Sequence, residues 1–159
     1  MTADILQEKL IKRVGKVLGN LELPTVSGER RKIKIYSQDL NIPDDEDEDT
    51  DIETATAPYV IVRITDGFQE SWDSALQVNV VFIICIYAKD TDKEGTKDVM
   101  TIINKLYQSF AESPNIDEFE AEPPLEWTLQ TDVDTYPYFF GAVSIGFNCP
   151  AARRIDEFA

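Results

Sequence analysis

Histidine is absent from this 159-residue chain, and with it go the commonest general base and the commonest metal ligand. A Ser-His-Asp triad and a Cys-His pair are therefore excluded as nucleophilic machinery. Cysteine is scarce too. Cys85 and Cys149 are the two present, too few for the four sulfur or imidazole ligands of a structural zinc site. They read as small apolar fillers, with a disulfide or metal pair as the lesser alternative. No P-loop and no Gly-x-Gly-x-x-Gly occurs, so no phosphate-cradling loop is written here. Long apolar runs are also missing. The longest, from Val80 to Ala88, has nine residues, against the roughly 20 that a membrane-spanning helix needs. The opening stretch MTADILQEKL is charged and lacks the apolar core of a secretory signal, which predicts a protein that stays in the cytoplasm where it is made.

Carboxylates are abundant, 30 acidic residues against 15 basic ones, yet nothing selects one pair for acid–base chemistry. The densest group is Asp44, Asp45, Glu46, Asp47, Glu48, Asp49, Asp51 and Glu53. These eight like charges repel one another without periodic apolar residues to compensate, which predicts a flexible, solvated acidic loop over 41–57. A calcium loop fails there in both registers. Counting from Asp45, the sixth and twelfth positions hold Thr50 and Thr56, and counting from Asp47 they hold Ile52 and Pro58, where an EF-hand needs glycine and a bidentate glutamate. Solvated carboxylates with ordinary pKa values make poor acids at neutral pH. The expectation is a protein that is not an enzyme, with no catalytic residue, cofactor or metal.

The charge is unevenly spread. Residues 1–34 carry eight basic and four acidic side chains, a net of +4, which leaves −19 for the remainder. Such a balance disfavours broad nucleic-acid binding, because the surface would add like charge to phosphates instead of releasing counterions. A basic segment and an acidic body in one chain are, however, complementary between neighbouring copies. Lys12, Arg13, Lys16, Arg30, Arg31 and Lys32 are the candidate positive interface, and the acidic loop from Asp44 to Glu53 is the candidate negative one.

Periodicity outlines the fold. Ile5, Leu6, Leu10, Val14, Val17 and Leu18 recur at helical spacing, with Lys9, Lys12, Arg13 and Lys16 on the other side and Gly19–Asn20 as the stop. ERRKIKIY suggests a short, lysine-protected strand near an edge. Pro58 introduces a strand from Tyr59 to Asp66, closed by a turn at Asp66 and Gly67, and Trp72 beyond it reads as a lid on the core. LQVNVVFIICIYA, from Leu76 to Ala88, predicts a central strand whose second half is apolar on both faces. Thr91 and Glu94 stand at capping-box spacing before a helix whose stripe is Val99, Ile102, Ile103, Leu106, Tyr107 and Phe110. After a connection containing Pro114, Pro123 and Pro124, a half-buried strand places Leu125, Trp127 and Leu129 opposite Glu126, Thr128 and Gln130. The last strand runs from Tyr138 to Asn148, its Gly141 and Gly146 marking a bulge or a close approach. The reading is one α+β domain over 1–159, with a mainly antiparallel sheet of four to five strands and two helices packed on one face.

This order of elements, with PYVIVRITDG, LQVNVVFIICIYAKD, TKDVMTIINKLYQSF and YFFGAVSIGFNCP as its main pieces, resembles the tail terminator or tail completion proteins of tailed bacteriophages, and more loosely the neck proteins between head and tail. The resemblance implies a non-enzymatic protein of a phage or prophage-derived particle. It would form a hexameric ring that caps the tail tube and joins it to the head, with the tail tube protein and head-tail connector proteins as partners. It further implies a place in the virion after assembly in the bacterial cytoplasm, with DNA passing without specific binding. In that setting the acidic loop would face the lumen or rim and keep DNA from sticking. Two other classes remain open: an acidic DNA-mimic inhibitor, and a monomeric ligand-binding module or small carboxylate enzyme. Against the mimic, the chain outside 44–53 has 22 acidic and 15 basic groups, a net of only −7.

Overall fold

The computed structural model describes residues 2–38, 57–89, 94–130 and 135–151. The expected acidic loop up to residue 56 and Thr91 of the expected capping box lie outside the described residues. In chain order the elements are α1 (Thr2–Val17), β1 (Glu22–Pro24), β2 (Arg30–Lys32), β3 (Lys34–Ser37), β4 (Tyr59–Phe68), β5 (Leu76–Tyr87), α2 (Glu94–Glu112), β6 (Asn115–Ile116), β7 (Phe119–Leu129) and β8 (Tyr138–Cys149). One sheet has six strands in the order β3-β4-β5-β8-β7-β6, and β1 and β2 form a separate antiparallel pair. The strands thus number more than the four to five expected. The surplus comes from two- to four-residue pieces, too short to show a periodic signal.

β5 is central, as its two-sided apolar pattern requires. It pairs antiparallel with β4 on one side and with β8 along its full length on the other. Val78, Val80, Phe82, Ile84 and Ile86 alternate onto one face and join a single core with Leu6, Leu10, Val14 and Leu18 of α1 and Val99, Ile102, Ile103, Leu106 and Phe110 of α2. Both helices therefore pack on the same face. The opposite face is polar at its start and closes at its far end into a smaller cluster around Ala57, Tyr59, Ile61 and Cys85. Tyr36 meets the Tyr59 ring edge-on at 6.1 Å, and the Tyr87 and Tyr138 rings lie 5.5 Å apart. Both cysteines are buried and neither forms a disulfide, Cys85 lying in this cluster and Cys149 in the main core.

Several expectations are corrected. Asp66 and Gly67 do not turn the chain; they continue β4 past an irregularity between Ile64 and Asp66, and the turn lies at Ser71–Ser74, where the Ser74 amide donates to the Ser71 carbonyl. A bulge here lets the strand keep its pairing through residues that usually break one. Trp72, at 86% exposed, lids nothing. Tyr107 also leaves the buried stripe of α2 and stands half exposed beside β7. β7 starts at Phe119 and runs through Pro123 and Pro124, which fall where its pairing with β8 shifts between Glu122 and Glu126. Proline has no N–H to lose from the ladder at such a shift.

Of the two marked glycines, Gly141 is the close approach. A Cβ there would meet Val99 Cγ1 at 2.5 Å, so its bare backbone is what lets α2 settle onto β8. β8 itself carries no bulge against β5. β3 runs parallel to β4, the one parallel pairing in the six-stranded sheet and a departure from an otherwise antiparallel plan. No described helix is long and apolar enough to cross a membrane.

Candidate functional site

The two ends of the strand order are chemically opposite. β3 stands at one edge and carries Lys34, with Arg30, Arg31 and Lys32 immediately before it on β2. β6 and β7 stand at the other edge, and from Leu106 to Ala151 the chain has eight acidic residues and no lysine or arginine. Glu118, Glu120, Glu122 and Glu126 of this edge are all exposed. The absence of cations over that long run was the signal in the sequence that the denser acidic loop obscured.

Both edges hold strand backbone that no described strand pairs. β6 covers only the start of β7, pairing Asn115 with Glu120 and Ile116 with Phe119. Beyond the prolines, Glu126 to Leu129 pair with β8 alone. The Gln130 amide donates to the Phe140 carbonyl at 3.1 Å, so by the alternation of an antiparallel ladder Trp127 and Leu129 point their N–H and C=O groups away from β8. At β3 the Lys34 amide donates to the Pro58 carbonyl at 3.3 Å and the Gln38 amide to the Val62 carbonyl at 3.0 Å. That phase leaves the backbone groups of Ile35 and Ser37 facing outward. Each open run is four residues long.

Beside the open run of β7, on the helix face, lies an apolar groove between β7 and α2. It is lined by Met100, Ile103, Asn104, Tyr107, Leu125 and Trp127 and continues past Ala111, Pro114 and Pro123. Met100, Tyr107 and Trp127 are 47%, 51% and 53% exposed, a grouping of large apolar side chains that a monomer gains nothing by leaving in water. On the other face a polar hollow is lined by Asp66, Glu122 and Glu126. There the Asn79 amide donates to both Asp66 oxygens at 3.1 and 3.2 Å, and Gln77 Nε2 donates to Glu122 at 3.1 Å. Among the described residues no three of His, Cys, Asp and Glu gather as a metal site.

The six candidate cations do not form one patch. Lys12 and Lys16 are exposed and share a shallow groove between the helices with Ser109, Glu112 and Ser113. Arg30, Arg31 and Lys32 belong to the small two-stranded sheet, where Arg30 donates to the Glu22 carbonyl at 3.3 Å. Burial holds the Arg31 guanidinium below its ordinary pKa, partly offset by Tyr36.

Arg13 is withdrawn from the surface. Its Nε donates to Ser109 Oγ at 3.0 Å, and its terminal nitrogens donate to the Ser109 carbonyl at 2.5 Å, to the Asn115 carbonyl at 3.2 Å and to the Ser113 carbonyl. The guanidinium also stacks over Phe110 at 4.9 Å. α2 has no basic residue in its last turn, so Arg13 supplies from α1 the cation and donors that a helix C-terminus needs. Lys9 acts nearby, bridging α1 to Asp117 at 2.5 Å and Glu118 at 3.4 Å, and the Asp117 hydrogen bond raises its pKa. The acidic-loop residues Asp44 to Glu53 lie outside the described residues. Comparison of the chain with family models and with curated proteins gave no match.

Proposed function

We propose that this chain is a non-enzymatic structural protein of a tailed bacteriophage or prophage-derived particle, acting as a ring that terminates the tail tube and joins it to the head. The observation that carries the reading is the opposite charge at the two ends of the strand order, basic at β3 and in the β2 segment just before it and acidic at β6 and β7. A cyclic ring is built from heterologous contacts, in which two different patches of one subunit meet on successive copies. Oppositely charged edges favour that head-to-tail meeting over the pairing of like edges. The resemblance of the element order to tail terminator proteins supplies the setting: the virion as final location, with the tail tube and head-tail connector proteins as the other partners.

Electron microscopy of particles from a strain lacking the gene, beside the intact strain, tests the reading. Overlong or ragged tails detached from heads are the expected result. Normal free tails beside leaking heads would move the protein to the neck. Normal complete particles would remove the structural reading and promote a DNA-mimicking inhibitor, which competition with DNA for a DNA-binding enzyme would then test.

A further inference from the structure

Resting on the ring reading, we infer that the contact between successive copies is a strand pairing. The open edge of β3 in one copy adds to the open run Glu126–Leu129 of β7 in the next, and α1 of the first copy covers the α2/β7 groove of the second. Three independent features fit one another. The runs that no described strand pairs are both four residues long, and both present outward-facing backbone donors and acceptors, at Ile35 and Ser37 and at Trp127 and Leu129. The two edges as wholes carry opposite charge, with Lys34 and the neighbouring Arg30 and Lys32 on one and Glu118, Glu120, Glu122 and Glu126 on the other. The faces also agree. α1 stands over β3, with the backbone of Gly15 close to Ile35, while the groove bordered by Met100, Tyr107 and Trp127 lies beside β7 on the same, helix-bearing face. Joining the edges with helices on one side therefore brings the α1 of one copy to the groove of the other. The occupant is a second copy of this chain, because its opposite edge carries the cations that this acidic edge lacks.

The pairing is tested by cross-linking between singly substituted proteins. Cys85 and Cys149 are buried, so introduced surface thiols report alone. Neighbouring strands lie about 4.7–4.9 Å apart, inside the roughly 4.4–6.8 Å that a disulfide spans between Cα atoms. Ser37→Cys protein is mixed under mild oxidation with Trp127→Cys protein, because helices on one side require β3 to run antiparallel to β7, which sets these two outward-facing positions opposite each other. The expected result is a covalent dimer in the mixture and none when each variant is oxidised alone. In a second arm raised salt weakens self-association, since the exposed charges of the two edges are screened.

A Trp127→Cys variant that cross-links to itself would overturn the head-to-tail pairing in favour of a symmetric one. Self-association of the unmodified protein by sedimentation, without a cross-link in the mixture, would overturn the edge assignment and leave the ring reading standing. Absence of any self-association would remove both.

Discussion

Replacing Arg13 with alanine separates two roles that its position in a basic segment confounds. As an interface residue it would be dispensable for folding; as the cap of α2 it is not. The side chain donates to Ser109 Oγ and to the carbonyls of Ser109, Ser113 and Asn115, and it lies over Phe110. A hydrogen bond to a charged group contributes about 1.5–3 kcal/mol. Four from one guanidinium are not additive, and carbonyls at a helix end partly recover water once it is gone, so the expected loss for Arg13→Ala is about 2–4 kcal/mol. For a chain of this size that lowers Tm by on the order of 5–15 °C. Lys12→Ala and Lys16→Ala, one helical turn apart on exposed positions, should stay within about 0.5 kcal/mol of the parent. Arg13→Lys should recover only a minor part, since a single ammonium keeps the charge at the helix end but not the planar fork. Urea titration of the four variants, with slopes compared as well as midpoints, is the assay. An Arg13→Ala protein as stable as Lys12→Ala would refute the capping role and return Arg13 to the surface.

Gly141→Ala should cost about 1–3 kcal/mol by driving a methyl into Val99, whose Cγ1 would lie 2.5 Å away. Gly146→Ala meets nothing closer than Asn79 Oδ1 at 3.4 Å and should be neutral or stabilising by up to about 1 kcal/mol; thermal melts of the pair decide both. Leu10→Ala removes a fully buried α1 side chain from the shared core and should lose about 2–5 kcal/mol by denaturant unfolding. Burial pushes the Cys149 thiol up to about 11, from 9.0 for an open one. The native state therefore keeps its proton while the unfolded chain gives it up, and the stability this contributes is fully present below about pH 9 and is lost as pH rises through about 11. Cys149→Ala should flatten that part of the stability–pH curve, and an unchanged decline would contradict the burial argument.

The elements that could be read in the sequence are those whose partners repeat along one surface. α1, β4, β5, α2 and β8 each bury a continuous stripe, and each announced itself by period. The missed features have a different physics. β1, β2, β3 and β6 are two to four residues long, and their existence depends on a neighbour's backbone, not on their own side chains. The exposure of Trp72 and Tyr107 depends on how elements distant in sequence meet, which no local pattern contains. Arg13 looked like one more surface cation because its acceptors lie 96 to 102 positions away. The candidate surface was half legible. Its basic side stood out as a cluster, whereas the acidic edge is spread over a run remarkable only for lacking cations.

That lack of cations also bears on how an open strand edge avoids unwanted pairing. An unpaired strand flanked by apolar Trp127 and Leu125 is a template for unwanted pairing, and the same apolar residues make its pairing worthwhile. Lysine on an edge deters other edges indiscriminately. Carboxylates at Glu118, Glu120, Glu122 and Glu126 would deter selectively, since they would repel the acidic edge of another copy and not its basic one. The prolines add a second restriction, because at Pro123 and Pro124 the ladder cannot extend past the turn toward β6, so an added strand is confined to the four residues that follow. On the proposed ring reading, charge and proline together would narrow this open edge to one short, directional partner, and a ring is what such a contact would build when its rotation closes.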